Sequence, residues 1–384
     1  MPINENIWVN AYLASWEHEA DADAVNSTRI KTSEIDWDAM THMTYFSLNI
    51  ASDGTPSQPL DGFGNFNSER LNSIVPAAHA HNVKIIFSVG GGGSFEGFRD
   101  ALMSVNRDNF IQTIHDVLSV YGFDGVNLSM PPFINDTLKT DSENELDYAN
   151  YRMTFQAFIS ELYESFNEFK TLQDQRPLIT LGALKDTEMI AVYQNIQKYC
   201  DQINILTYDM AQPWRGWQAW HNSALYNERV YFNDNDFLKL PSVDDKVNEF
   251  IDAGIERLKI GIAINFYATE WRQVNLYDTW PAWPTQDMSI YSNPPYKETV
   301  EKYNLNDAEW DGNAHVPFLN VDTPQAFVSF ENDASIDRKV NYAKRKRIGG
   351  VMIWELGGAF FPDRSAEHKD PLLKSVKKHA FNPN

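Results

Sequence analysis

The 384 residues include one cysteine, Cys200, so no intrachain disulfide can form and the cross-linked framework of a small secreted domain is excluded. No uninterrupted run of about 18 apolar residues exists, which leaves no candidate membrane-spanning helix. Positive charge is scarce: 32 Lys and Arg stand against 53 Asp and Glu, for a formal charge of -21. Nucleic acid and anionic membrane surfaces demand a net basic field, so neither is expected as a partner. Met1 to Asn6 contain neither a basic nor an apolar segment. No Sec signal is expected, and cytoplasmic residence and release by a non-Sec route both fit. The nine His show no H-E-x-x-H or comparable spacing, and no phosphate loop with its lysine occurs. No metal and no cofactor is expected. Fixed-period repeats are also missing, which sets aside solenoids and propellers. Sequons at Asn26, Asn127 and Asn135 read as chance tripeptides.

What the chain does contain is a core-forming share of apolar residues, 43%, and a surplus of aromatics, 13%, with 11 Trp. Short β-rich apolar runs recur at Ile7 to Leu13, Met43 to Ile50, Lys84 to Val89, Gly125 to Met130, Leu178 to Ala183, Gln202 to Thr207, Leu258 to Ile264 and Gly349 to Trp354. Several are almost continuously hydrophobic, as parallel strands buried on both faces must be. Between them lie segments long enough for helices; Phe155, Phe158, Leu162 and Phe166, spaced three or four apart, mark one of these. Eight such units predict an α/β fold, a (β/α)8 TIM barrel. About 80 residues separate the seventh and eighth runs, far more than a βα loop needs. Residues 267–333 are therefore expected to form an inserted small α+β subdomain, with residues 1–266 and 334–384 forming the barrel. The basic run Lys344 to Arg347 reads as a solvated helix face.

Four strand-end patterns point to one family. Ser88-Val89-Gly90-Gly91 after the third run resembles the S-x-G-G signature of glycoside hydrolase family 18, the chitinase family. Leu206-Thr207-Tyr208-Asp209 resembles its M-x-Y-D, and Trp220-His221-Asn222-Ser223-Ala224 its T-G-H-N-A-P-L segment. Gly349-Gly350-Val351-Met352-Ile353-Trp354 resembles its G-G-x-M-x-W ending. Each pattern is weak alone; their order and their placement at strand ends are specific. The resemblance runs from Ile7 to Phe361.

The fourth strand departs from the family. Where D-G-x-D-x-D-x-E is expected, the chain reads Asp124-Gly125-Val126-Asn127-Leu128-Ser129-Met130-Pro131. Alternate strand residues share a face, so the family's acidic ladder points into the barrel and its last member reaches the mouth. In that family the substrate's own acetamido group attacks the anomeric carbon while the final Glu protonates the leaving oxygen. Pro131 has no proton to give, and Ser129 replaces the carboxylate that orients the acetamido group. The resemblance with this loss implies a catalytically inactive member. Asp136, Asp141, Glu143, Asp209 and Glu355 are the nearby carboxylates that could stand in, and each reads more simply as a solvated rim group.

Trp354, Tyr208 and Asp209 remain. By the resemblance, Trp354 is the floor on which a sugar stacks, Tyr208 a donor to an acetamido carbonyl and Asp209 a substrate contact. Trp16, Trp214 and Trp220 join them as candidate sugar-binding rings, and Trp271, Trp280 and Trp283 could extend the row. The expected function is binding of N-acetylglucosamine-containing glycans, chitin oligosaccharides, without hydrolysis. An interaction subunit with protein partners in a larger assembly such as a toxin complex, and a glycosidase with a relocated acid, are the rivals.

Overall fold

The computed structural model describes residues 3–21, 28–58, 66–91, 95–129, 142–185, 187–212, 217–228, 230–232, 235–279 and 291–381. Leaving aside two pairs of short strands, seven barrel strands come first in chain order: β1 (Trp8–Ala14), β2 (His42–Leu48), β3 (Lys84–Gly90), β4 (Gly125–Ser129), β5 (Leu178–Ala183), β6 (Gln202–Ile205) and β7 (Ile260–Asn265). Five more follow β7: β8 (Thr269–Arg272), β9 (Tyr291–Ser292), β10 (Glu309–Asp311), β11 (Val316–Asp322) and β12 (Gln325–Ser329); β13 (Gly350–Trp354) is the last. Strands β1 to β7 and β13 close into one parallel barrel, with β13 joining β7 to β1. The protein is a (β/α)8 TIM barrel, and its eight strands coincide with the eight apolar runs to within three residues.

Alternation decides which side chains fill the barrel. In β4, Val126 and Leu128 join the large core between strands and helices, whereas Asn127 and Ser129 do not. In β13, Val351 and Ile353 face that outer core while Met352 joins a separate cluster with Tyr12, Phe46 and Ala263 inside the barrel. The period of two that defines a strand thus sorts each strand into a greasy outer face and a mixed inner one. Helices Ser68–Ala80, Arg107–Tyr121, Ser142–Ser165, Thr187–Ile196, Val243–Asp252, Asp333–Lys346 and Pro371–Phe381 surround the barrel. Phe155, Phe158, Leu162 and Phe166 are all buried, as their spacing required.

Two expectations need correction. Between β1 and β2 the described residues form only short 3-10 turns and a two-residue strand pair, not a helix. The basic run is not a fully solvated face: Lys344 is buried, and its Nζ donates to the carbonyl of His379 at 3.0 Å. Its methylene stem lies in the packed seam between the last two helices, and only the ammonium needs a partner there.

After β7 the chain leaves the barrel. Strands β8 to β12 form a five-stranded antiparallel sheet in the order β9-β8-β12-β11-β10, accompanied by the helix Tyr296–Lys302. Trp220 and Trp271, both without exposed surface, pack with Phe318, Phe327 and Val316 in a second core between this sheet and the segment that follows β6.

Candidate active site and binding cleft

The C-terminal ends of the barrel strands carry an aromatic cluster. Trp354, at the end of β13, meets Phe46 edge-on with 4.8 Å between ring centroids and 88° between planes. Tyr12 lies 5.7 Å from the same indole. Trp354 is half-buried, so part of the ring is held and part is free to contact a ligand. Trp16 follows β1, stands edge-on to Phe46 at 5.9 Å and is 44% exposed. It lines two surface cavities, of about 280 and 450 Å³, the smaller one shared with Phe46, Ser47, Asn49, Ser57 and Gln58.

Glycine makes this cluster possible. Gly90 and Gly91 have φ of 96° and 100°. A Cβ on Gly90 would lie 2.4 Å from the carbonyl oxygen of Ser129, and one on Gly91 2.4 Å from the Phe46 ring. Gly91 N–H donates to that Ser129 carbonyl at 2.8 Å. The Gly-Gly pair lets β3 close over the end of β4 and leaves room for the Phe46 ring beneath the indole.

The segments after β6 and β7 add a polar wall beside the aromatic cluster, against which Tyr208 packs. The carboxylate of Asp209 accepts from the Tyr267 hydroxyl at 2.8 Å and from Asn222 Nδ2 at 3.0 Å, with Asn293 Nδ2 at 3.5 Å. Tyr208 is half-buried, its ring edge-on to Tyr267 at 5.9 Å. Burial, with the neighbouring Asp209 charge, holds its phenol well above the ordinary tyrosine range, so it stays a neutral hydrogen-bonding group at any working pH.

The barrel centre below the mouth is neutral. Asn127 accepts from Ser88 Oγ at 3.0 Å and donates to Thr180 Oγ1 at 2.9 Å. Thr44 donates to Asn10, whose amide reaches Gln202. Asn127 is fully buried, which removes it as a glycosylation acceptor as well. Ser129 is half-buried at the mouth. Asp124 lies at the opposite, N-terminal end of β4, where its carboxylate accepts from Ile85 N–H at 2.8 Å and meets His79 at 3.0 Å and Lys84 at 3.3 Å. It staples β3 to β4 and is remote from the cleft.

Of the residues singled out in the sequence, Trp354, Tyr208, Asp209 and Trp16 do gather at the mouth. Trp220 does not belong with them: it is completely buried and its Nε1 donates to the carbonyl of Pro241 at 2.9 Å. Trp271 is buried likewise. Aromatic content alone could not separate a stacking ring from a core ring. Trp214, Trp280, Trp283, Pro131, Asp136, Asp141 and Glu143 lie outside the residues whose surroundings are described. Glu355 is not a solvated rim carboxylate. It is tucked under the turn Leu356–Ala359, accepting from Gly357 N–H at 3.0 Å, and burial beside Glu17 pushes its pKa up to about 7. Phe46, Tyr12, Tyr267, Asn222 and Asn293 were not anticipated. Phe46 was readable, since β2 alternates His42, Thr44, Phe46 on one face and ends beside Trp354; Tyr267 and Asn293 follow β7 and β9, where the sequence gives no register. No group of three or more His, Cys, Asp or Glu fit to hold a metal ion occurs among the described residues.

The model of glycosyl hydrolases family 18 matches residues 9–359. The chain belongs to that family. It is 26% identical over 322 residues to chitinase A1 of Niallia circulans, covering 79% of this chain and 44% of that protein; this family 18 chain thus spans under half the length of that relative. Among solved structures, the Ostrinia furnacalis Group IV chitinase in complex with allosamidin superposes with a TM-score of 0.77 at 22% identity, covering 97% of this chain and 98% of the other. Human YKL-39, described as a pseudo-chitinase with retained chitooligosaccharide binding properties, gives 0.75 at 21% identity, covering 97% and 99%.

Proposed function

We propose that this family 18 protein binds N-acetylglucosamine-containing glycans, chitin oligosaccharides, in the barrel cleft and does not hydrolyse them. The observation that carries the proposal is the contrast within one mouth. The aromatic floor and the polar wall are intact, while β4 delivers only neutral groups: Asn127 is spent on Ser88 and Thr180, and Ser129 has no charge to offer. Where the family's motif ends in Glu the sequence has Pro131, which cannot act as a general acid, a role worth about 10²- to 10⁴-fold in rate. Trp354 and Trp16 supply flat apolar faces for sugar rings; Tyr208 and Asp209 supply the directional hydrogen bonds that orient an acetamido group and ring hydroxyls. The segment 267–333 is read as a subdomain that walls one side of this cleft through Tyr267 and Asn293. YKL-39 offers a precedent at the level of its fold and its description.

Glu355 does not support a relocated acid. One of its oxygens accepts from the Gly357 N–H, so it serves as the cap of the turn that follows β13. The deciding experiment titrates chitin oligosaccharides while following both tryptophan fluorescence and product formation. Saturable quenching without product is expected. Product at a rate typical of chitinases overturns the inactive reading, and neither signal overturns the glycan reading in favour of an interaction subunit.

A further inference from the structure

After β6 the chain makes a tight turn. Asp209 has a φ of 48°, in the left-handed region, which Asp enters more readily than most non-glycine residues but seldom without side-chain contacts to hold it. Such a conformation persists only where the surroundings impose it, and two side chains impose this one. Asn222 grips one side: its Oδ1 accepts from Asp209 N–H at 3.0 Å and its Nδ2 donates to the Asp209 carboxylate at 3.0 Å. The other side is held by Lys185, two residues beyond the end of β5. Its Nζ donates to the carbonyl of Tyr208 at 2.7 Å and to the carbonyl of Asp209 at 2.9 Å.

Two consecutive carbonyls converging on one ammonium is an unusual use of a lysine. A lysine near a surface ordinarily runs its methylenes along the protein and leaves its charge in water. Here the ammonium is drawn inward instead, and burial pulls its pKa down to about 8 although the Asp209 carboxylate favours its charge. The gain lies in the two carbonyls, since a buried acceptor left without a donor costs about 1 to 3 kcal/mol. With its carbonyls held by Lys185 and its amide and carboxylate by Asn222, the Tyr208-Asp209 dipeptide has little freedom left.

We infer that Lys185 is a positioning residue of the cleft, which clamps the backbone of Tyr208 and Asp209 so that both side chains are aimed for an acetamido sugar. The inference rests on the glycan-binding reading, but the turn can be observed without sugar. Lys185→Met, Lys185→Gln and Lys185→Arg are compared with the unmodified protein. One readout is the ¹³Cα and ¹³Cβ chemical shifts of Asp209 without ligand, which report its left-handed backbone; the other is affinity for chitin hexasaccharide. Loss of the clamp in Lys185→Met is expected to move the Asp209 shifts and to weaken binding by about ten-fold or more, the scale of misplacing a binding group by a fraction of an ångström. Lys185→Arg, whose fork can still reach two carbonyls, is expected to restore most of both. Unchanged affinity and unchanged shifts in Lys185→Met overturn the inference, as does a variant that only melts earlier while its folded form binds normally. If Lys185→Met does not fold, Lys185→Gln decides by the same criteria. If the unmodified protein binds no hexasaccharide, the glycan reading fails on its own, and retention of the left-handed shifts in Lys185→Met overturns the clamp separately.

Discussion

Glu355 and Trp354 are neighbours in sequence with opposite duties, and each can be tested at the level of one side chain. Glu355 has its pKa raised from 4.5 to about 7, first by burial and then by the Glu17 charge. Between those two values the folded protein keeps a proton that the unfolded chain has released, so stability falls as pH rises through this window and the deficit is complete above pH 7. Glu355→Gln keeps an acceptor for Gly357 and removes the charge. It is expected to stabilise the protein by on the order of 2 kcal/mol at pH 8 and to change little at pH 4.5; an equal gain at both pH values in urea titrations would refute burial of charge as the cause. Trp354→Ala removes the proposed sugar floor and is expected to weaken chitin hexasaccharide binding by about 1 to 3 kcal/mol in calorimetry, the worth of one aromatic anchor. Because the indole also packs on Phe46 and Tyr12, denaturation must be followed in the same variant. Unaltered affinity in folded Trp354→Ala would move the site away from the barrel axis.

At the scale of elements, the tight join between β3, β4 and β2 makes Gly91→Ala informative. The new methyl has a left-handed φ to tolerate and the Phe46 ring 2.4 Å away. A cost of at least about 2 kcal/mol is expected, together with a change in near-UV circular dichroism as Phe46 moves against Trp354. A neutral substitution would mean that β2 yields more easily than its packing implies. The same elements indicate how far the sequence could be read. Strands were legible because parallel barrel strands are apolar on their outer face without interruption, and the strand-end signatures fixed their order. The mouth was legible where a motif residue projects from a strand end, as Trp354, Tyr208 and Asp209 do. It was illegible where burial decides. Trp220 and Trp16 are the same residue type near strand ends, yet one has a second core closing over it and the other does not. Glu355 and Lys344 show the same gap for charge: whether a carboxylate or an ammonium finds water depends on elements distant in sequence, on Glu17 in one case and the last helix in the other.

For the molecule as a whole, the five-stranded sheet and the segment after β6 are joined by buried polar contacts, and these bear on the cleft. His221, in the segment after β6, is fully buried, with Nδ1 3.0 Å from Ser329 Oγ on β12 and Nε2 3.0 Å from Asp311 Oδ2 on β10. Asp311 also accepts from the Tyr277 hydroxyl at 2.9 Å and from the backbone N–H groups of Asn313 and Ala314. These bonds outweigh burial and hold its carboxyl well below the ordinary range. The next residue, Asn222, grips Asp209, whose carboxylate is also bound by Tyr267, after β7, and Asn293, after β9. His221 therefore ties the sheet at the position from which the cleft wall is built. His221→Ala leaves the Asp311 carboxylate buried with one partner fewer and opens a cavity in the second core. It is expected to cost about 2 to 4 kcal/mol in urea denaturation and to weaken hexasaccharide binding in the protein that remains folded. The pH dependence has a defined sign. A depressed carboxyl stabilises the fold above its unfolded pKa of 3.8, and that contribution is lost as pH falls. Removing a partner of Asp311 should thus reduce stability at pH 7 more than at pH 3. A stability loss independent of pH would assign the effect to the cavity alone, and unchanged glycan affinity would separate the sheet from the cleft wall.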